Sequence, residues 1–324
     1  NTQLISKEEA HLDWVADPAG GSWYVEWLTD AVAEKAWELF QQVEERGGMM
    51  AALADGFVQQ SIAQTAAEKT ENIARRTERI VGVNMYPDPA WAMPAGKQAN
   101  NDRQAQVERL RAYRNRFDQA ELAIKLTELR QTSDGLLDKA LDAVRAGATL
   151  GDLTRAMGQE QSVTVEPIRF QRAAEAFETL RRQAENFQER TGHKPQVFLA
   201  AVGSVSRYKA RADFCTEYFA VGGFEVLRPD PPADHVEEAA AGALAAGTPI
   251  VVICADDGSY PDIVEPLARS LKEKRPDVIV LLAGLPAPDQ AAAYRAAGVE
   301  DFVHMRGNCW QMLYDLQKRT GGIA

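Results

Sequence analysis

The chain has 324 residues, of which 45% are hydrophobic and 26% charged, with a formal net charge of -11 and a pI near 5.0. That balance supplies core material for two ordinary domains or one large one, excludes a disordered chain, and argues against nonspecific attraction to nucleic acid or an anionic membrane. The longest apolar runs, such as 278–283, are strand-sized and far short of the roughly 20 residues a membrane helix requires, and no signal peptide is visible, so a cytoplasmic protein is expected.

The sequence starts Asn-Thr-Gln without a methionine and enters structured-looking sequence at once, which suggests a piece of a longer fold. Over 29–46 the apolar residues Ala31, Val32, Ala36, Leu39, Phe40 and Val43 fall at helical spacing, with Gly47-Gly48 as the stop. A second helical stretch is predicted over 50–79, broken near Asp55-Gly56. Residues 86–98 are proline-rich and read as an extended arm. A long amphipathic helix is predicted over 103–132, a further helix over 134–145, and Thr149-Leu150-Gly151-Asp152 resembles a capping box that opens another. A last helical piece is expected over 169–190, ended by Gly192 and Pro195.

From Gln196 onward the pattern changes. Five short apolar runs, 197–202, 224–227, 249–254, 278–283 and 301–304, read as strands, and the segments 208–221, 233–246, 261–274, 290–297 and 308–319 read as helices. Such alternation demands a parallel sheet covered on both faces. The expected fold class is therefore α/β, with a C-terminal flavodoxin-like (Rossmann-like), doubly wound, five-stranded parallel sheet. Its ligand crevice should lie in the loop after the first strand, where the strand order reverses. That loop falls at Gly203-Ser204-Val205-Ser206-Arg207. The three cysteines, Cys215, Cys254 and Cys309, are odd in number and lack a Cys-x-x-Cys, which points to buried free thiols rather than disulfides or zinc.

The run Asp17-Pro18-Ala19-Gly20-Gly21-Ser22-Trp23-Tyr24-Val25-Glu26, flanked by Asn1-Thr2-Gln3 and Glu34-Lys35-Ala36-Trp37, closely resembles the last stretch of an acyl-CoA mutase barrel. Gly47-Gly48-Met49 and Ile80-Val81-Gly82-Val83-Asn84 resemble the region that joins this barrel to a cobalamin domain. Together with the C-terminal alternation, the chain resembles the C-terminal part of a methylmalonyl-CoA mutase over nearly its whole length, although 100–195 matches in character more than in motif. The resemblance implies three regions: the last piece of a TIM barrel (1–85), an extended arm and helical linker (86–195), and a cobalamin-binding-like domain (196–324). It also implies a radical isomerase that interconverts methylmalonyl-CoA and succinyl-CoA.

Departures from the family pattern are concentrated where the cofactor would sit. The family's cobalamin domain carries Asp-x-His-x-x-Gly after the first strand, the histidine binding cobalt, and the corresponding residues are Val205, Arg207 and Ala210. A guanidinium stays protonated and offers no lone pair, so it is no substitute for imidazole. The family's serine-and-leucine loop after the third strand is represented by Cys254-Ala255-Asp256, and its glycine pair after the fourth by Ala283-Gly284. Ala283 and the adjacent carboxylates Asp256 and Asp257 are expected to crowd the slot that receives the cofactor's nucleotide tail. The resemblance thus implies a small, non-catalytic subunit without cobalamin or metal, partnered by a catalytic large subunit that holds adenosylcobalamin. No catalytic residue is assigned, because the family's substrate contacts lie upstream of Asn1.

Other readings stay open at this point. One alternative is a cobalamin-dependent mutase chain acting directly in isomerisation. Alternatively, Ser204, Ser206, Arg207 and Lys209 form a candidate anion-binding set at a helix start, as in a stand-alone metabolite-binding module. A phospho-receiver reading of Asp256-Asp257 fails, since Gly203-Ser204 and Met305-Arg306 stand where acids and a lysine are needed. His235 and His304 lack a partner at ligand spacing. The aromatics Trp14, Trp23, Tyr24, Trp27 and Trp37 need something to pack against, and the charged 103–132 helix is either a subunit contact or a solvated face.

Overall fold

The computed structural model describes residues 1–88, 100–158 and 163–322. The arm expected at 86–98 therefore falls almost wholly outside the described residues. The chain forms two compact units, one of residues 1–93 with 165–324 and the other of residues 94–164.

Five strands, β1 (Gln196–Ala201), β2 (Glu225–Leu227), β3 (Ile250–Cys254), β4 (Ile279–Ala283) and β5 (Asp301–Val303), form one all-parallel sheet in the order β2-β1-β3-β4-β5. This is the flavodoxin-like order, and the reversal falls between β1 and β3. Their register pairs Val197 with Ile250 and Ala201 with Cys254, so the two strands end level at that point. β3 and β4 are buried along their whole length, as continuous apolar runs in a doubly covered sheet must be.

Alternate side chains feed two cores. Phe198, Val251, Ile253 and Leu282 face helices α11 (Val236–Ala246), α12 (Tyr260–Lys274) and α13 (Pro288–Ala296). Val197, Leu199, Val252 and Leu281 face α9 (Glu175–Thr191), α10 (Val205–Ala220) and α14 (Cys309–Arg319). The three cysteines are buried and free in this second core. One boundary differs from expectation in a way that matters. Helix α10 begins at Val205 rather than at 208, because Gly203, at φ 89°, turns the chain straight out of β1 and Ser204 takes the extended N-cap conformation.

Ahead of the sheet, α1 (Thr2–Leu4) runs into a π-helical turn over Ile5–Glu9, followed by α2 (Trp23–Glu45), α3 (Met49–Ala54) and α4 (Phe57–Ala74). The expected break at Asp55-Gly56 is present. Helix α2 starts six residues before the expected Thr29, at an extended Ser22, and none of its 23 residues is buried. Trp14, Trp23, Tyr24, Trp27 and Trp37 are all exposed, Trp23 at 93%.

Helix α4 stops at Ala74 instead of continuing to 79, because Arg76 adopts a left-handed backbone at φ 62° and residues 76–86 form a strap against the α/β unit. Asn84, fully buried, holds this strap closed. Its Oδ1 accepts the Ile80 N–H at 2.7 Å, and its amide donates to the carbonyls of Ile73 (2.9 Å) and Glu78 (2.8 Å). Arg76, with a side chain 9% exposed, pairs with Glu217 of α10 at 2.9 Å, and Arg181 of α9 donates to the Gly82 carbonyl at 2.8 Å. Helix α9 starts later than the expected 169. Its opening turn is fixed by the Arg172 N–H on the Glu175 carboxylate and an Arg172–Glu178 ion pair.

The second unit contains α5 (Asn100–Arg114), α6 (Gln119–Gln131), α7 (Leu136–Arg145) and α8 (Leu150–Met157). The single helix expected over 103–132 is two. Asp118 starts a new one by accepting the Ala120 N–H at 2.8 Å, and the intervening turn sends Phe117 against Gly147, where an added Cβ would lie 2.4 Å from the ring. The capping box at the start of α8 is formed by Thr149 and Asp152. The Thr149 hydroxyl, assisted by its N–H and by Arg114 and Arg155, holds the Asp152 carboxyl below the usual range against the opposing effect of burial. A depressed folded value stabilises the unit above the ordinary aspartate range, and that contribution is lost as the pH falls through it. Thr149→Ala is expected to destabilise this unit by about 1 kcal/mol at neutral pH. In thermal melts the difference from the parent chain should shrink below about pH 4.

Candidate functional site

The crevice predicted by the topology lies at the C-terminal ends of β1, β3 and β4. Val202 donates its N–H to the Cys254 carbonyl at 3.2 Å and Gly203 to the Ala233 carbonyl at 2.9 Å, which locks the turn out of β1 against its neighbours. Val205, Arg207 and Ala210 follow on the exposed surface of α10's first turns. Arg207 is thus a helical residue and not a loop residue. Its side chain is 60% exposed and reaches Asp256, beyond β3, at 3.8 Å.

One turn further on, Arg211 donates to Asp257 at 2.8 Å and is only 32% exposed. Its guanidinium lies against Gly284 at the end of β4. A Cβ placed on that glycine would meet Arg211 Nη1 at 3.3 Å and Cζ at 3.4 Å. Gly284 sits at φ 137°, a conformation side chains rarely adopt, so its backbone conformation accounts for the glycine without a ligand.

Beneath this pair, Tyr260 is 4% exposed and its hydroxyl donates to the Ala283 carbonyl and accepts the Ala255 N–H at 3.4 Å. The phenol therefore ties the ends of β3 and β4 together, and burial raises its pKa far above the ordinary value. Asp256 accepts the Ser259 N–H at 2.7 Å. Ser259, first, and Arg207 after it keep its carboxyl below the usual range. Cys254 and Ala283 are fully buried in the core shared with α10 and α14, and the Cys215 thiol together with burial keeps the Cys254 thiol protonated.

The proposed anion set is only partly brought together. Ser204 and Ser206 bond to each other at 3.0 Å, Arg207 faces Asp256, and Lys209 is committed to Asp213 at 2.6 Å. Each cation already has an acidic neighbour. His304 lies beyond β5, where its Nδ1 accepts the Arg306 N–H at 3.2 Å and burial lowers its pKa, while His235 occupies the N-cap of α11. Among the described residues no three metal-ligating side chains gather.

These residues do not fit a cobalamin tail. The place beside Gly284 is taken by a guanidinium, and the floor is spanned by the Tyr260 hydroxyl. Of the residues expected to crowd that slot, Ala283 lies in the sheet core, Asp256 and Asp257 face Arg207 and Arg211, and the side chain beside Gly284 is that of Arg211. Neither Arg211 nor Tyr260 was singled out in the sequence. A signal for Arg211 existed, since Arg207 and Arg211 stand one helical turn apart and Asp256 and Asp257 are adjacent, a pattern that pairs two cations with two acids.

Fold and site together define a flavodoxin-like domain whose ligand crevice is filled by its own side chains. The methylmalonyl-CoA mutase family model matches residues 1–163, just over half of the 324, and the chain belongs to that family. It is 33% identical over 281 residues to a methylmalonyl-CoA mutase small subunit of Streptomyces virginiae, covering 84% of this chain and 34% of that protein. To the small subunit of Porphyromonas gingivalis it is 28% identical over 325 residues, covering 99% and 42%. A methylmalonyl-CoA mutase of Cereibacter sphaeroides is 34% identical over 309 residues, covering 90% and 42%. The chain thus spans about two fifths or less of the length of these relatives.

Proposed function

We propose that the chain is part of a small subunit of methylmalonyl-CoA mutase, itself non-catalytic and without cobalamin, which stabilises a catalytic large subunit holding adenosylcobalamin. In this reading residues 1–85 end a TIM barrel, 86–195 form the arm and linker, and 196–324 are the cobalamin-type domain. The observation that carries it is the pair of ionic bridges across the crevice, Arg207 to Asp256 and Arg211 to Asp257. In this reading one guanidinium stands where a nitrogen donor would be needed and the second on the side of the crevice assigned to the tail. The small-subunit names of two relatives support the same assignment. No reaction step is assigned to this chain, whose role is assembly.

The exposed aromatics of α2 are where such a partner, or the rest of a barrel, would pack, and a stable interface needs roughly 800 Å² from each side. Coexpression with a mutase large chain, followed by size-exclusion chromatography, is expected to give one co-eluting peak. Titration of the isolated chain with hydroxocobalamin is expected to leave the visible spectrum that of the free corrinoid. Separate elution would refute the partnership, and a ligand-shifted spectrum at micromolar concentration would refute the cofactor-free role.

A further inference from the structure

We infer that the face of α7 made by Leu137, Leu141 and Val144 is a contact surface for a second copy of this chain, through an antiparallel, two-fold pairing of α7 with α7. The inference goes beyond the small-subunit reading and uses the second compact unit alone. Within that unit α7 covers its other side. Ala143 has no exposed surface and lies in the core with Ala146, Ala148 and Leu122 of α6, and Lys139 pairs with Glu128 of α6 at 3.1 Å. Leu137, Leu141 and Val144, at i, i+4 and i+7, form one stripe turned away from that core. They remain 73%, 43% and 44% exposed. Three large apolar side chains in a row on a ten-residue helix make a contiguous patch and not scattered surface positions.

The charges beside the stripe indicate what covers it. Asp138 and Arg145 each follow a stripe residue by one position, so both stand along the same edge, the acid in the first turn and the base in the last. In a two-fold antiparallel pair, like edges of the two helices meet and run in opposite directions. With Leu141 at the axis, Leu137 faces Val144 of the second copy. Asp138 then comes level with Arg145 of the second copy to within one helical rise of about 1.5 Å, and symmetry makes the ion pair twice. The stripe is thus complementary to itself in shape and in charge. A parallel pairing would set this edge against the edge bearing Ala140, where no charge answers it. Arg145 turns to such a partner at little cost, because its pair with Asp142, at 3.1 Å, leaves it 76% exposed. A face this short buries less than the roughly 800 Å² per side of a standard interface, so the pairing is expected to be weak and concentration-dependent.

The test is local cross-linking in the full chain, because the exposed aromatics of α2 also favour association and size alone does not separate the two contacts. The three native cysteines are buried, so Leu141→Cys supplies an accessible thiol at the axis. Diamide, a thiol oxidant, takes up the two thiol hydrogens as the S–S bond forms between copies. A two-chain band on a non-reducing gel is expected from Leu141→Cys and not from Leu150→Cys, which is more exposed but far from the axis. Added to Leu141→Cys, Asp138→Arg or Arg145→Asp sets like charges together and is expected to lower the yield about tenfold. The double reversal, Asp138→Arg with Arg145→Asp, is expected to restore it. Each reversal opposes the helix dipole, so the double variant is the least helical and its rescue cannot come from helix stability; circular dichroism checks that every variant is folded. A yield no higher than that of Leu150→Cys, indifference to either single reversal, or no rescue in a folded double variant would overturn the inference. So would protection of Leu141→Cys from a maleimide by a coexpressed mutase large chain, with no cross-link in the chain alone, which would assign the stripe to that partner.

Discussion

Phe219→Ala is expected to destabilise the α/β unit by about 3–5 kcal/mol, the largest effect of any single truncation considered. Phe219 has no exposed surface and sits on α10 in the core that joins this helix to the sheet, α9 and α14. Its ring meets Phe224 and Tyr218 edge to face, each at 5.7 Å between centroids. Such geometry adds roughly 0.5–1.5 kcal/mol per pair beyond burial of area. Fixed strands surround the site and limit relaxation into the void, which places the loss toward the upper part of the range. Urea unfolding followed by far-UV circular dichroism measures it. A loss under about 1 kcal/mol would mean that the core closes around the gap, contrary to the close packing described.

Arg76→Met is expected to destabilise the strap by about 3 kcal/mol, because it strands Glu217 without its cation. The Arg76 side chain is 9% exposed and that of Glu217 27%, so solvent recovers part of the carboxylate's hydration and the loss stays below that of a fully buried pair. Glu217 also accepts the Tyr86 N–H at 3.2 Å, and Arg76 lies 5.8 Å from the Phe214 ring and 5.5 Å from that of Tyr218. Loss of the cation therefore removes the electrostatic and aromatic contacts of Arg76 together and leaves the Glu217 carboxylate to the Tyr86 N–H without its counter-charge. Hydrogen exchange should report the change as lost protection at Ile80, Asn84 and Tyr86. Lys35→Met, which breaks a largely exposed pair with Glu38 on α2, should leave the exchange pattern of the strap unchanged. Equal protection in parent and Arg76→Met chains would place the anchor elsewhere, on Asn84 or Arg181.

The sheet was legible because its strands are continuous apolar runs, and a doubly covered parallel strand has no other way to satisfy both faces. All five appear within two residues of their expected limits, and the strand order follows the expected class. Helix boundaries were less legible where capping outweighed periodicity. Ser204 starts α10 before the apolar pattern does, and Asp118 interrupts a pattern that would otherwise read through from 103 to 132. Arg207 could be singled out in the sequence because its residue type departs from the imidazole that the resemblance implies at that place. The candidate site was not legible at Arg211 or Tyr260, whose effect comes from three strand ends meeting in space. Periodicity places a residue on a helix, but only the register of β1, β3 and β4 brings Arg211 over Gly284.

Helix α2 has a consequence for how the molecule behaves on its own. Twenty-three residues without a covered position, bearing Trp23, Tyr24, Trp27, Trp37 and Phe40 in water, make a segment whose solitary state is adhesive and vulnerable to cleavage. Produced alone as residues 1–324, the chain is expected to clump through that helix or to be trimmed back toward Gly47, and a cover for α2, whether a partner or the rest of a barrel, should prevent both.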